Sequence, residues 1–277
     1  MFLVFLFSFM VADANAADHA KSVLVPLPAY GFDPTESGVP WTYLKQSGFK
    51  VIFATPDGKP ARADVRMLTG QDLGVWKKIL MNDANGARAY REMEASPEFQ
   101  QPLTYGEIES SAFDALLLPG GHDKGMRPYL ESLILQKVVS EFFEAGKPVG
   151  AICHGTLLAA RSLSPRSGRS VLWGRKTTGL TKRQEMAAYY MTKTYLGDYY
   201  RTYPTAMADE VKSFLASPAD FDPGPELIMP SRRDSPSDLR PGFTVLDGNY
   251  ISARWPGDAH RFGSEFAALV GRSAGRL

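Results

Sequence analysis

Four short runs of β-branched and aliphatic residues, 22–28, 50–54, 112–119 and 148–152, alternate with stretches that read as helix. This alternation restricts the fold more than any other feature. Parallel strands need a crossover of about a dozen residues or more, and a helix is the usual one. Residues 39–48 read as the first such helix, with Pro40 near its first turn and Gly48 as its stop. Residues 130–146, apolar at Leu130, Ile134, Val138 and Phe142, read as the helix before the fourth strand. Near the end, 243–246 and 250–253 flank Asp247-Gly248 as a hairpin-like pair, and 261–272 close the chain as a helix. The predicted architecture is a doubly wound α/β sandwich, a class that binds ligands at the carboxyl ends of its strands.

The alternation fails in two places, around 69–106 and around 180–230. Both are expected to be helical insertions into a single α/β domain spanning 17–277. The second holds tyrosines at 189, 190, 195, 199, 200 and 203. Most are expected to pack within the insertion; the alternative is that they roof a pocket. Residues 1–16, apolar from Phe2 to Val11 except Ser8 and ending Ala14-Asn15-Ala16, read as a signal peptide whose n-region lacks Lys and Arg. The protein is expected to be periplasmic or secreted if that reading holds, and cytoplasmic otherwise. The apolar run is too short to span a membrane. With 31 basic and 30 acidic residues the net charge is +1, which argues against a nucleic-acid partner. The single cysteine, Cys153, can form neither an intrachain disulfide nor a thiolate zinc cluster.

Cys153 lies in Gly150-Ala151-Ile152-Cys153-His154-Gly155-Thr156, where a buried strand is expected to give way to a helix. Small residues at 151 and 155 suit a sharp strand-to-helix turn that strains the central residue and projects its side chain outward. The helix N-terminus beneath the sulfur is expected to favour thiolate, and the His154 amide to face an oxyanion on the attacked atom.

The segment Ala-Ile-Cys-His-Gly after a strand resembles the ThiJ/PfpI superfamily, whose core is the flavodoxin-like one of class I glutamine amidotransferases. Leu118-Pro119-Gly120-Gly121-His122 matches its second glycine turn, and Glu36 with Pro40 its Glu-x-x-x-Pro after the first strand. Ser252-Ala253-Arg254-Trp255-Pro256-Gly257 resembles its C-terminal turn before the last helix. The resemblance implies Cys153 as nucleophile and Glu36 as its hydrogen-bonding partner or general acid/base. Gly120 lets the backbone approach the substrate, and Gly121 supplies a second oxyanion donor. The glyoxalase III branch completes its Cys-His pair with a downstream acid, which falls here on Glu185. His122 and His260 are fainter pocket candidates, and no metal or organic cofactor is expected.

The glutamine amidotransferases use a C-terminal His-x-Glu. Here His260 is followed by Arg261-Phe262, so glutamine hydrolysis is disfavoured. The first expectation is a glutathione-independent enzyme on small reactive carbonyls, converting methylglyoxal to D-lactate, or a related deglycase. The alternatives are a stress holdase or redox sensor on the same fold, and an amidase of the amidotransferase-like class. A small-molecule carbonyl is the expected partner, and a homodimer is left open.

Overall fold

The computed structural model describes residues 20–226 and 232–273; the segment read as a signal peptide lies outside them. Nine strands are described: β1 Ser22–Pro26, β2 Tyr30–Phe32, β3 Lys50–Thr55, β4 Arg62–Ala63, β5 Leu103–Thr104, β6 Ala115–Leu118, β7 Val149–Ile152, β8 Thr244–Asp247 and β9 Tyr250–Ala253. Seven of them form one sheet in the order β5-β3-β1-β6-β7-β9-β8, and β2 and β4 pair separately. Every neighbouring pair is parallel except β8 and β9, the expected hairpin at the edge. The turn between them holds Gly248 at φ +61°.

The helices that frame the site are α1 Pro34–Gln46, α2 Ala84–Glu94, α3 Leu133–Glu144, α4 Gly155–Arg161, α5 Lys182–Leu196, α6 Met207–Phe214 and α7 Ala259–Arg272. Helix α1 packs against α2 and α7, while α4 packs against α3 and α6. These two helical layers sandwich the sheet. The central strands β1, β6 and β7 are buried at every residue, as parallel strands covered on both faces should be. The fold is the flavodoxin-like, mostly parallel one.

Helix α1 begins five residues before the expected start. Asp33 caps it by accepting from the Thr35 and Glu36 amides at 2.8 and 3.0 Å, and Pro34 takes the first helical position. Pro40, read as a start signal, sits inside the helix. The expected 130–146 helix divides at Ser132, whose hydroxyl accepts from the Leu135 amide at 3.3 Å and starts α3.

The two insertions meet. Met67 and Leu73 pack with Tyr199 and Tyr200 in a second apolar cluster beside the main core, flanked by Leu80, Met81 and Tyr189. Tyr190 and Tyr195 are exposed, and the Tyr203 hydroxyl reaches Glu131 at 2.8 Å. The tyrosines therefore divide between packing and surface, and Tyr200 lines the cleft described next. Among the described residues no helix is long and apolar enough to cross a membrane.

Candidate active site

A cleft at the carboxyl ends of the central strands encloses about 710 Å³ of non-atom space, its mouth included. Cys153 and Glu36 line it, with Asp33, Gly121 and His122, beneath a roof from α5 and the two insertions. Cys153 follows β7 directly and adopts φ +55°, a left-handed conformation that costs a non-glycine residue about 1–2 kcal/mol. Its neighbours make that conformation affordable. Its amide donates to the Ala253 carbonyl at 3.0 Å, and its carbonyl accepts from Thr156 at 3.2 Å.

Glu36 is fully buried on the first turn of α1. In a capping box it would reach back to the amide of Asp33, but that amide donates instead to the Gly120 carbonyl at 2.9 Å. The carboxyl is thereby left for the cysteine. A Cβ on Gly120 would sit 2.6 Å from a Glu36 oxygen and 2.7 Å from the Cys153 Cβ, so only glycine lets the three groups meet.

Electrostatics hold this pair neutral. Burial pushes the Glu36 carboxyl well above the usual range and Asp33 adds to the push, while the Cys153 thiol and the Gly120 amide pull only part of the way back. Burial also pushes the Cys153 thiol well up, assisted by Glu36 and Asp33 and opposed by the His154 amide. The expectation of a resting thiolate is thus corrected. Helix α4 has only seven residues, and its dipole does not offset desolvation beside two carboxyl groups. Asp33→Asn, which keeps an acceptor at the cap of α1, is expected to raise the rate at which iodoacetamide alkylates Cys153 at pH 8 several-fold, because Asp33, pushed up only to about 6, is ionised there and its charge holds the thiol protonated. An unchanged rate would show that the Asp33 charge does not control the sulfur.

His154 is also buried, and its Nδ1 lies 3.5 Å from the Cys153 sulfur. Burial holds its pKa down at about 3, so the ring is a neutral imidazole. Among the described residues no hydrogen bond or ion pair joins it to Glu185. Glu185 is placed elsewhere by a local need. Ala206 occupies the cap position of α6 without a side-chain acceptor, and Glu185 Oε2 supplies one to the Met207 amide at 2.9 Å. Its other oxygen faces Arg201 Nε at 3.4 Å. Glu185 therefore lines the cleft but does not orient the histidine.

His122 stacks on Tyr200 with ring centroids 4.3 Å apart, and burial holds its pKa down at about 4. Its Nε2 lies 3.8 Å from Asp64. The Gly121 and His154 amides make no backbone hydrogen bond among the described residues, which leaves both able to face an oxyanion. His260 lies outside the cleft, with its Nδ1 3.4 Å from the Tyr43 hydroxyl.

The C-terminal turn is scaffolding. Arg254 grips Asp258 through two bonds of 2.8 and 2.9 Å, both residues fully buried, and the Ser252 hydroxyl accepts from the Thr178 amide at 2.9 Å. These contacts fix the approach to α5. Sequence reasoning missed Asp33, Gln184, Arg233 and the wall made by Trp255. Asp33 and Gln184 carried a signal, since Asp-Pro-Thr-Glu and Thr-Lys-Arg-Gln are helix-start patterns.

The fold and the strand-turn-helix cysteine define an α/β protein with a buried Cys-Glu pair at its strand ends. Residues 27–218 match the family model described as ThiJ/PfpI family-like, and the chain belongs to that family. A protein named deglycase from Thermococcus kodakarensis is 26% identical over 168 residues, which are 61% of this chain and 69% of that one. A protein named glutathione-independent glyoxalase from Schizosaccharomyces pombe is 26% identical over 149 residues, 53% of this chain and 58% of its own. A third relative, an uncharacterised protein of the same yeast, is 29% identical, and the match spans about half of each chain, 49%. Among solved structures, glyoxalase III from Candida albicans superposes with a TM-score of 0.59 at 19% identity, covering 90% of this chain and 97% of that one. The Rapid Encystment Protein of Francisella tularensis does so with 0.64 at 15% identity, covering 90% and 99%. At these identities the structures speak for the fold.

Proposed function

We propose that the protein converts 2-oxoaldehydes, methylglyoxal in the first instance, to 2-hydroxy acids without glutathione. The observation that carries this reading is the neutral thiol-carboxyl pair of Cys153 and Glu36, buried together at the strand ends. The names of two curated relatives, a glyoxalase and a deglycase, support it.

A carboxylic acid gives a proton from one oxygen and takes one at the other. As the Cys153 sulfur adds to the aldehyde carbon, Glu36 protonates the carbonyl oxygen and receives the thiol proton, forming a hemithioacetal. It then takes the proton from the former aldehyde carbon and gives one to the ketone oxygen, forming an enediol. Delivery of a proton to the adjacent carbon, with loss of one from the first hydroxyl, gives a thioester of the 2-hydroxy acid. Water cleaves the thioester and restores the thiol. Each of the three transfers leaves Glu36 protonated, so no ion need form on it in the dry site. The Gly121 and His154 amides face the oxygen that carries charge.

The test is wild-type protein with methylglyoxal in glutathione-free buffer, with D-lactate assayed directly. Accumulation beyond the protein-free control is expected. Its absence with Cys153 reduced would overturn the reading.

A further inference from the structure

The cleft carries more hydrogen-bond donors than this chemistry uses. Arg233, Trp255 and Gln184 line it, and Arg233 Nη1, Trp255 Nε1 and Gln184 Nε2 are buried with no hydrogen-bond partner among the described residues. None of these three can accept a hydrogen bond. The Tyr200 hydroxyl and His122 Nε2, each able to donate or accept, also lack a hydrogen-bond partner among the described residues, as do the two Glu36 oxygens beside Cys153. A buried donor without a partner keeps its desolvation cost uncompensated, so this many in one cleft mark places where ligand atoms belong.

Arg233 is held in place while its charge remains available. Its Nη2 donates to the Ile79 and Met81 carbonyls at 3.3 and 2.9 Å, and the Trp255 ring lies 5.4 Å from the guanidinium. No carboxylate comes within ion-pair distance of it among the described residues. Of the three carboxyl groups of the lining, Glu36 lies beside Cys153, and Asp33 feels the Arg233 charge without coming within ion-pair distance of it. Asp33 spends one oxygen on two helix amides, and Glu185 serves Met207 and Arg201. Methylglyoxal offers only two carbonyl oxygens, and the proposed reaction uses both.

We propose that the preferred substrate is a 2-oxoaldehyde bearing a carboxylate, with the aldehyde at Cys153 and the carboxylate received by Arg233, Trp255 and Gln184. This rests on the reaction proposed above and names its substrate class. A carboxylate presents about four acceptor positions, which suits three donors arriving from separate elements.

The probe is 4,5-dioxopentanoate, which has two methylenes between ketone and carboxylate, measured beside methylglyoxal. Its kcat/KM is expected to exceed that of methylglyoxal by about tenfold or more. Arg233→Met is expected to bring the ratio of the two close to one, and Trp255→Phe, which keeps the ring and deletes the donor, to lower it in part. A ratio near one in the wild type, or one that Arg233→Met leaves unchanged, overturns the proposal. Binding of glutarate to Cys153→Ser protein, followed by calorimetry, separates the carboxylate site from the reaction. Glutarate is expected to bind, and to bind at least about tenfold more weakly once Arg233→Met is added. No glutarate binding alongside turnover of methylglyoxal overturns the carboxylate site and leaves the reaction standing. Glutarate binding without turnover of either aldehyde overturns the reaction, and with it the substrate assignment.

Discussion

Cys153→Ser is expected to abolish D-lactate formation from methylglyoxal, a fall of about 10³-fold or more in kcat/KM, while the protein stays folded. The two halves of that expectation come from different observations. The hydroxyl is smaller than the thiol and occupies the same turn, whose left-handed backbone depends on Ala253 and Thr156 rather than on the sulfur. It also lies beside the Glu36 carboxyl, so the buried polar group gains a partner and the thermal midpoint should move by only a few degrees. The chemistry has no such substitute. A neutral hydroxyl is a much poorer nucleophile than a thiol that loses its proton as it attacks, and no thioester can form. D-lactate assay of both proteins, with circular dichroism to establish folding, checks this. Turnover retained in the variant would place the chemistry on another group. Lost turnover with a collapsed midpoint would make Cys153 a packing residue, and Cys153→Ala would then be the informative comparison.

Much of this site was legible in the sequence because its parts are local. A cysteine between a buried strand and a helix, with alanine and glycine on either side, can be read from seven consecutive residues. The Gly120-Gly121 turn follows β6, and Glu36 follows β1 by way of the short β2, so the topology delivers both to the edge where Cys153 emerges. The short strands β2, β4 and β5 were invisible, because two or three residues carry no period. The start of α1 was misplaced because Pro40 resembled a first-turn proline, whereas Asp33 and Pro34 already supplied the cap. Its interior Pro40 is tolerated where α1 is covered by α2 and α7. Glu185 was paired with His154 by resemblance. Its actual partner is set by Ala206, a capping residue with no acceptor, and that vacancy becomes visible only once α5 and α6 are side by side. Arg233 reaches the cleft from a loop far along the chain with no local pattern to announce it, and the turn that holds Trp255 was legible without showing that its ring walls the cleft.

The geometry of the nucleophile turn also makes Gly155→Ala a severe substitution, expected to cost about 3 kcal/mol or more, or roughly 6–12 °C in thermal midpoint for a chain of this size. Gly155 is the first residue of α4, and its backbone lies against the end of β6. A Cβ there would come inside 3.0 Å of the Leu118 carbonyl oxygen and carbon and far closer than real contacts allow. Both partners are backbone, and Leu118 is fixed by its sheet register opposite Ala151. No rotamer change relieves the clash, so either α4 retreats or the strand bends. Either movement shifts Cys153 away from Glu36, and the proposed turnover should fall with stability. Gly146→Ala supplies the control. Its φ is +67°, a left-handed conformation that Gly155 does not share, and nothing lies within 4 Å of an added Cβ. Its cost is conformational alone, about 1–2 kcal/mol, and it lies at the opposite end of β7 from the cleft. Thermal unfolding of the two variants beside wild type separates the contributions. A shift for Gly155→Ala no larger than that for Gly146→Ala would mean that α4 and β6 relax around the added Cβ and that their close packing is not what holds the nucleophile in place.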